Sequence, residues 1–381
     1  MTEPAKKSLP VKRASYFERY AYRELTRNKG DQAGEELFLL SEKEIAALKK
    51  IRTQTYLKAI LAGSLGVILL YVPYHLWGDV LFPTTIVSLP YLADPLALQI
   101  EFLIFSVVLV VVEIIYLTRL NIKSVSAIAE ACGCPSKHDP NFEDNVHALI
   151  AVGLEKKQKE LAAIGINPYE GLSKWSVVLY QVALKLKAAL SGFLVKLLVT
   201  KVLGRYALRM IVDLAGIPVY AFWNAWGTRT IMNEARVRVM APPLINKFTQ
   251  NLYDEFKENV QFRSAIYNTL QAISTSKRSF HYNHFLLATS ILNKFGIPVS
   301  TAPQYEENFL ENVPKFDADV ERAIAKLLLF GIMIDGRLSM REKRALQNLR
   351  ELNVMPYSEE QVKRWTKDYF EGRGLEEFLA S

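Results

Sequence analysis

The sequence predicts an all-α protein: a membrane-embedded helical hairpin, amphipathic or re-entrant helices, and a C-terminal cytoplasmic helical bundle. Three observations predict it. Leu57–Trp77 and Leu96–Leu120 are long apolar runs almost free of charge, and about 20 such residues cross a hydrocarbon core of about 30 Å. Half of the 381 residues are hydrophobic although 23% are charged, so the apolar residues are concentrated locally. Beyond residue 242, apolar residues recur at helical spacing in six runs.

Composition divides the chain into an N-terminal arm (1–55), the hairpin (56–121), a small helical insert (122–172), a basic hydrophobic segment (173–241) and the C-terminal domain (242–381). In the arm, a disordered basic tail is expected to precede a helix over Ala14–Thr26. Ser41-Glu-Lys-Glu44 has the form of a capping box, which starts a helix able to run into the first span. Thirteen Lys and Arg residues precede or open that span, through Lys58, and Arg119 and Lys123 follow the second. The connection Gly78–Pro95 has Asp79 and Asp94 but no Lys or Arg. The positive-inside rule then puts the connection outside and both termini in the cytoplasm.

Carboxylates inside a bilayer are costly and are usually paired. A level antiparallel hairpin puts His75 opposite Glu101, and Gly63 opposite Glu113 with Lys58 a turn away. Two local pairs, Glu101–His75 and Glu113–Lys58, are the structural reading. A proton or ion relay is the functional one.

The basic segment concentrates the charge of the protein. Leu172–Met240 contains ten Lys and Arg against Asp213 and Glu234, a balance equal to the net +8 of the whole chain. Two more spans here would carry its lysines outside, against the charge rule. An interfacial or re-entrant pair fits better, with Lys185, Lys196, Lys201, Arg205 and Arg209 snorkelling to anionic headgroups; burial in a homo-oligomer is the other arrangement. The lysines are diluted among Leu and Val and no recognition motif accompanies them, which argues against nucleic acid. Asn224 and Thr228, four apart on one helix face, read as helix-packing hydrogen bonders. The run from Gly216 to Thr230, with a Gly/Pro break and then an Asn and a Thr, resembles the closing segment of EcsC-like bacterial membrane-associated proteins.

In the insert, Ser124–Ala131 and Phe142–Ile164 read as helices. Cys132, Cys134, His138 and Asp139 between them match no common zinc spacing and read as a loop. The C-terminal runs are Leu244–Phe256, Val260–Ala272, Tyr282–Phe295, Ala318–Ile332, Met340–Leu352 and Glu359–Phe370. No phosphate loop, nucleophile elbow or HExxH interrupts them. Between two of them lies Ile334-Asp-Gly-Arg-Leu-Ser-Met-Arg-Glu342. This motif resembles the TerB-like domain, a small helical module linked to tellurite and stress responses and to some membrane-tethered co-chaperones. The upstream stretch Thr269–Ile297 is a degraded echo, with Lys277-Arg278 in place of Asp-Gly. The resemblance implies Asp335 and Glu342 as candidate ligands of a divalent metal. The residues themselves favour a turn and a capping box, because a single Asp–Glu pair is too few ligands for Ca²⁺.

Three functions follow as expectations. The first is a non-enzymatic adaptor or scaffold that recruits a protein partner to the inner membrane, possessing no cofactor and presenting an apolar groove on its C-terminal domain; the TerB resemblance adds a stress-related role. The second is a subunit of an oligomeric channel or transport assembly using Glu101 and Glu113. The third is an enzyme using His281, His284 and nearby Tyr282 or Lys277.

Overall fold

Ser41 starts a long helix that joins the polar arm to the first apolar run. Its hydroxyl accepts from the Glu44 amide while the Glu44 side chain accepts from the Ser41 amide, and helix α2 (Glu42–Leu81) runs from this capping box through the first apolar run. The structure is a computed structural model that describes residues 15–27, 40–87, 96–133, 142–154, 214, 216–277, 281–298, 306 and 308–380. The described residues are mostly helical. The basic tail expected before Ala14 lies outside them.

Helix α1 (Tyr16–Arg27) buries Ala21 and Leu25. Strands β1 (Thr85–Val87) and β2 (Leu96–Leu98) pair antiparallel, Thr85 with Leu98 and Val87 with Leu96. This short ribbon qualifies the all-α expectation. It also takes the first residues of the second apolar run, so helix α3 (Ile100–Ala131) starts later than expected and then absorbs Ser124–Ala131 without a break. Within α2 the backbone departs from helical geometry at Trp77, four residues past Pro73.

Among the described residues, the next helix after α4 (Phe142–Gly153) is α5 (Gly216–Phe256), which contains Pro242 and Pro243. Proline removes a backbone donor and usually ends a helix, yet α5 continues through the expected boundary at 241/242. The expected boundaries at 55/56 and 121/122 also fall inside helices. The remaining elements are α6 (Val260–Lys277), α7 (Tyr282–Lys294), α8 (Phe309–Asn312) with a 3-10 turn Val313–Lys315, α9 (Ala318–Met333), α10 (Met340–Glu351), α11 (Glu359–Glu371) and α12 (Glu376–Ala380). Capping boxes at Ser339 and Ser358 start α10 and α11, and Gly372 ends α11 in the left-handed region.

Two hydrophobic clusters share α5. Ile231, Met232, Ala235 and Val239 pack with Leu48, Ile122, Val125, Val146 and the buried side of α1. Val237, Ala241, Leu244, Ile245 and Phe248 enter the larger C-terminal cluster, where Phe248 stacks on Phe330 with ring centroids 4.0 Å apart. Two further ties join the clusters: the Leu40 amide donates to the Gly372 carbonyl at 2.9 Å, and Arg238 donates to the Ala148 carbonyl at 3.1 Å.

The first half of α5 lies antiparallel along α2. Gly216 faces Val67, and the Tyr220 backbone crosses Gly63 so closely that a Cβ there would sit 2.9 Å from its carbonyl and 2.8 Å from Asn224 Nδ2. Backbone cannot yield to such an insertion, so Gly63→Ala is expected to lower stability by about 1–3 kcal/mol. Gly227→Ala, which meets open space on the facing helix α5, is expected to be neutral or to stabilise by up to about 1 kcal/mol. Thermal unfolding of the purified variants checks the pair; equal effects would contradict this crossing.

Candidate functional site

The end of α9 is a buried helix terminus, and its last carbonyls need donors from elsewhere. Side chains supply them. Lys277, at the end of α6, donates to the Ile332 carbonyl at 2.8 Å. His284 Nε2 donates to the Gly331 carbonyl at 2.8 Å and Asn283 Nδ2 to the Ile334 carbonyl at 2.8 Å. Tyr369 Oη, from α11, lies 3.3 Å from the same Ile334 oxygen. Asn283 and Tyr369 also reach the Val237 carbonyl of α5, at 3.3 and 3.1 Å. The turn after α9 is thereby stitched to the long helix a few residues before its two prolines.

Asp335 and Glu342 do come together, and the cation between them is Lys277. Its ammonium stands 2.7 Å from Asp335 Oδ2 and 2.5 Å from Glu342 Oε1, with all three side chains almost wholly buried. The expectation of a metal at this pair therefore meets a lysine in the place a cation would take. Both carboxylates have local duties as well. The other Asp335 oxygen accepts from the Arg337 amide, and the other Glu342 oxygen accepts from the Ser339 amide in the capping box. Gly336 turns the chain at a φ of +73°, where a Cβ would lie 2.6 Å from Val237 Cγ2. Among the described residues no group of three or more His, Cys, Asp and Glu is placed to hold a metal ion.

The histidines considered for catalysis are bound into the same framework. Burial, with the charges of Lys277 and His281 adding to it, pushes His284 well below its usual range, so it is a neutral donor to Gly331. His281 caps α7, its Nδ1 accepting from the Asn283 amide, and its Nε2 lies 2.9 Å from Glu234 Oε1. Burial alone would raise the Glu234 carboxyl, but His281 and Arg238 together hold it well below the usual carboxylate range. Its contribution to stability is complete above that usual range and is lost only as pH falls towards the depressed folded-state value. Burial likewise holds the Tyr369 hydroxyl protonated far above its ordinary range. These groups build structure, and none of them is an exposed nucleophile.

The apolar half holds a second polar contact. Asn224 Nδ2 donates to Glu113 Oε1 at 2.6 Å. The partner of Glu113 is thus Asn224 on α5, in place of Lys58, which is exposed. The register differs from a level hairpin by about a turn, since Thr55 bonds Ser124 at 2.9 Å and Gly66 faces Glu113. The expected Glu101–His75 pair is not formed among the described residues: Glu101 is exposed, and His75 packs edge-on against Tyr74. Thr228 is buried one turn beyond Asn224.

Cys132 belongs to the core around Ile128, and burial pushes its thiol up to about 12. A thiol held protonated is a poor metal ligand. Cys134, His138 and Asp139, and the basic residues Lys185, Lys196, Lys201, Arg205 and Arg209, lie outside the described residues. Sequence reasoning missed Lys277 as the partner of the two acids. The available signal is a charge that ends a helical run uncharged from Ser264 to Ser276.

With the geometry in place, comparison adds nothing further: no protein-family model, no curated protein and no solved structure matches this chain.

Removing the ammonium while keeping the acids leaves two buried carboxylates facing each other. Lys277→Met is expected to cost about 3–5 kcal/mol. The triple variant Lys277→Met, Asp335→Asn, Glu342→Gln is expected to recover part of the loss, because no unpaired charge remains. Denaturant unfolding measures both. An unchanged stability in Lys277→Met would contradict the buried ion pair.

Proposed function

We propose that the protein is a membrane-anchored, non-enzymatic adaptor, held in a bacterial inner membrane by α2 and α3 and displaying its C-terminal helical domain to a protein partner in the cytoplasm. The observation that carries the reading is the exposure of the two apolar helices. Each is long and apolar enough to cross a membrane, and in the core helix of a soluble protein such a stretch would be mostly buried. Here only 22% of the most apolar window of α2 is buried, and none of that of α3. Leu61, Leu65, Leu103, Val107, Val111 and Ile114 all face outward. Exposed apolar surface on this scale marks a protein or membrane contact. The charge distribution supports both termini inside.

Adaptor function is supported by what the C-terminal domain does with its polar groups. Lys277, Asp335, Glu342 and His284 are consumed by the internal framework. The surface keeps a groove lined by Leu252 and Phe256, with Asp254, Asp319, Arg322 and Lys326 at its rim. Mixed charge around an apolar floor suits a protein partner. Its charged lining departs from the exposed apolar groove expected. The resemblance of the Ile334–Glu342 turn to TerB-like modules, some of which are membrane-tethered, agrees with this reading. The channel reading is less well supported, because Glu113 turns to Asn224 of its own chain.

The test is cross-linking in native membranes, comparing the full chain with an Asp254→Lys, Arg322→Glu variant. The chain is expected to stay in the membrane pellet through an alkaline carbonate wash. The variant is expected to lose a cross-linked partner that the parent retains. Release by carbonate would contradict the anchor. Identical cross-linking of the two chains, or self-cross-links alone, would contradict recruitment through this groove.

A further inference from the structure

Just below the apolar run of α2, a groove of about 270 Å³ opens between α2, α3, α5 and α11. Its floor includes Ile45, Leu48, Met232 and Phe370. Its charged lining is Lys49, Arg52, Arg236 and Arg373 against the single carboxylate Glu371. Glu371 is already engaged, since its Oε2 lies 2.6 Å from Arg373. That leaves Lys49, Arg52 and Arg236 facing the groove without a carboxylate partner among the described residues. Arg236 is held in place, its guanidinium 5.3 Å above the Phe370 ring, and its buried Nε has no hydrogen-bond partner among the described residues. Burial, and then the repulsion of Arg52, lower the proton affinity of Arg236, while the Glu371 and Cys132 sites oppose that shift. Two guanidiniums kept near each other, one of them partly desolvated, are a cost that a bound anion removes.

We infer that this groove is a binding site for a phosphate-bearing anion, and that the headgroup phosphate of an anionic lipid is its occupant. The inference rests on the membrane-anchored reading for the source of the phosphate, not for its chemistry. Arg52 precedes Leu57, where the apolar run begins, by about 7 Å at 1.5 Å per residue. The headgroup layer extends about 5–8 Å beyond the hydrocarbon on each side. Arg52 therefore lies at headgroup depth, at the end of the groove nearest the bilayer, and Leu48 and Ile45 continue the groove away from the membrane. Arginine forks suit phosphate oxygens by geometry as well as charge.

The experiment uses the full chain, purified in neutral detergent and offered phosphatidic acid or phosphatidylcholine, with retained lipid counted by native mass spectrometry. The parent is expected to retain phosphatidic acid selectively. Arg52→Gln, an exposed position whose change leaves the core intact, is expected to weaken retention about tenfold. Lys50→Gln removes the same charge two residues away on α2, at a position that does not line the groove, and is expected to change retention less than about twofold. Equal losses in the two variants would reduce the effect to general attraction between basic residues and acidic lipid, and would overturn the site. So would a parent without selectivity. Inorganic phosphate is the second probe. Displacement of the lipid by millimolar phosphate in the parent but not in Arg52→Gln would keep the anion site and assign it to a soluble phosphate. If carbonate releases the chain from membranes while phosphate still binds through Arg52, the anchor fails and the site stands.

Discussion

The fold depends on one helix that cannot end where its sequence suggests. Helix α5 begins against Val67 in the apolar hairpin and finishes in the aromatic core around Phe248. It passes Pro242 and Pro243 on the way. A helix crossed by two prolines loses backbone hydrogen bonds and tends to kink. Asn283 and Tyr369 meet the Val237 carbonyl just before them, and the same two side chains hold the Ile334 carbonyl at the end of α9. The proline region of α5 and the turn carrying Asp335 are therefore one structural unit. Lys277 completes it by supplying the positive charge that the α9 terminus and the two acids require.

A rigid connection follows from this arrangement. The apolar hairpin and the C-terminal bundle do not meet across a linker; they share the two faces of α5. The Leu40–Gly372 hydrogen bond and the stacking of Arg236 on Phe370 add contacts beside it. A tether alone would need only an unstructured linker. A continuous helix fixes distance and orientation as well, which suits the proposed display of a surface at a set height above the bilayer.

The sequence made the local features legible and left the tertiary ones hidden. The capping boxes at Ser41, Ser339 and Ser358 announce their helices because the signal lies within four residues. The C-terminal helices accordingly lie close to their expected positions. Prolines at 242 and 243 suggest a domain boundary because the side chains that hold the helix just before them, Asn283 and Tyr369 at the Val237 carbonyl, are remote in sequence. Glu113 is legible as needing a partner, and the hairpin alone offers Lys58, while Asn224 lies 111 residues away. Asp335 and Glu342 were legible as a pair of acids near a turn. That a lysine closes the pair could not be read, because Lys277 looked like the loss of an acid when it is the gain of a counter-charge.

The continuity of α5 through its prolines is the claim on which rigid display stands. The most direct measurement is the distance between spin labels at Arg229 and Glu255, two exposed positions on either side of Pro242 and Pro243, in the full chain reconstituted in a bilayer. An unbroken helix at 1.5 Å per residue predicts a narrow distribution centred near ~39 Å. A broad distribution, or one centred well below that value, would mean that the helix breaks at the prolines and that the two halves are joined by a hinge.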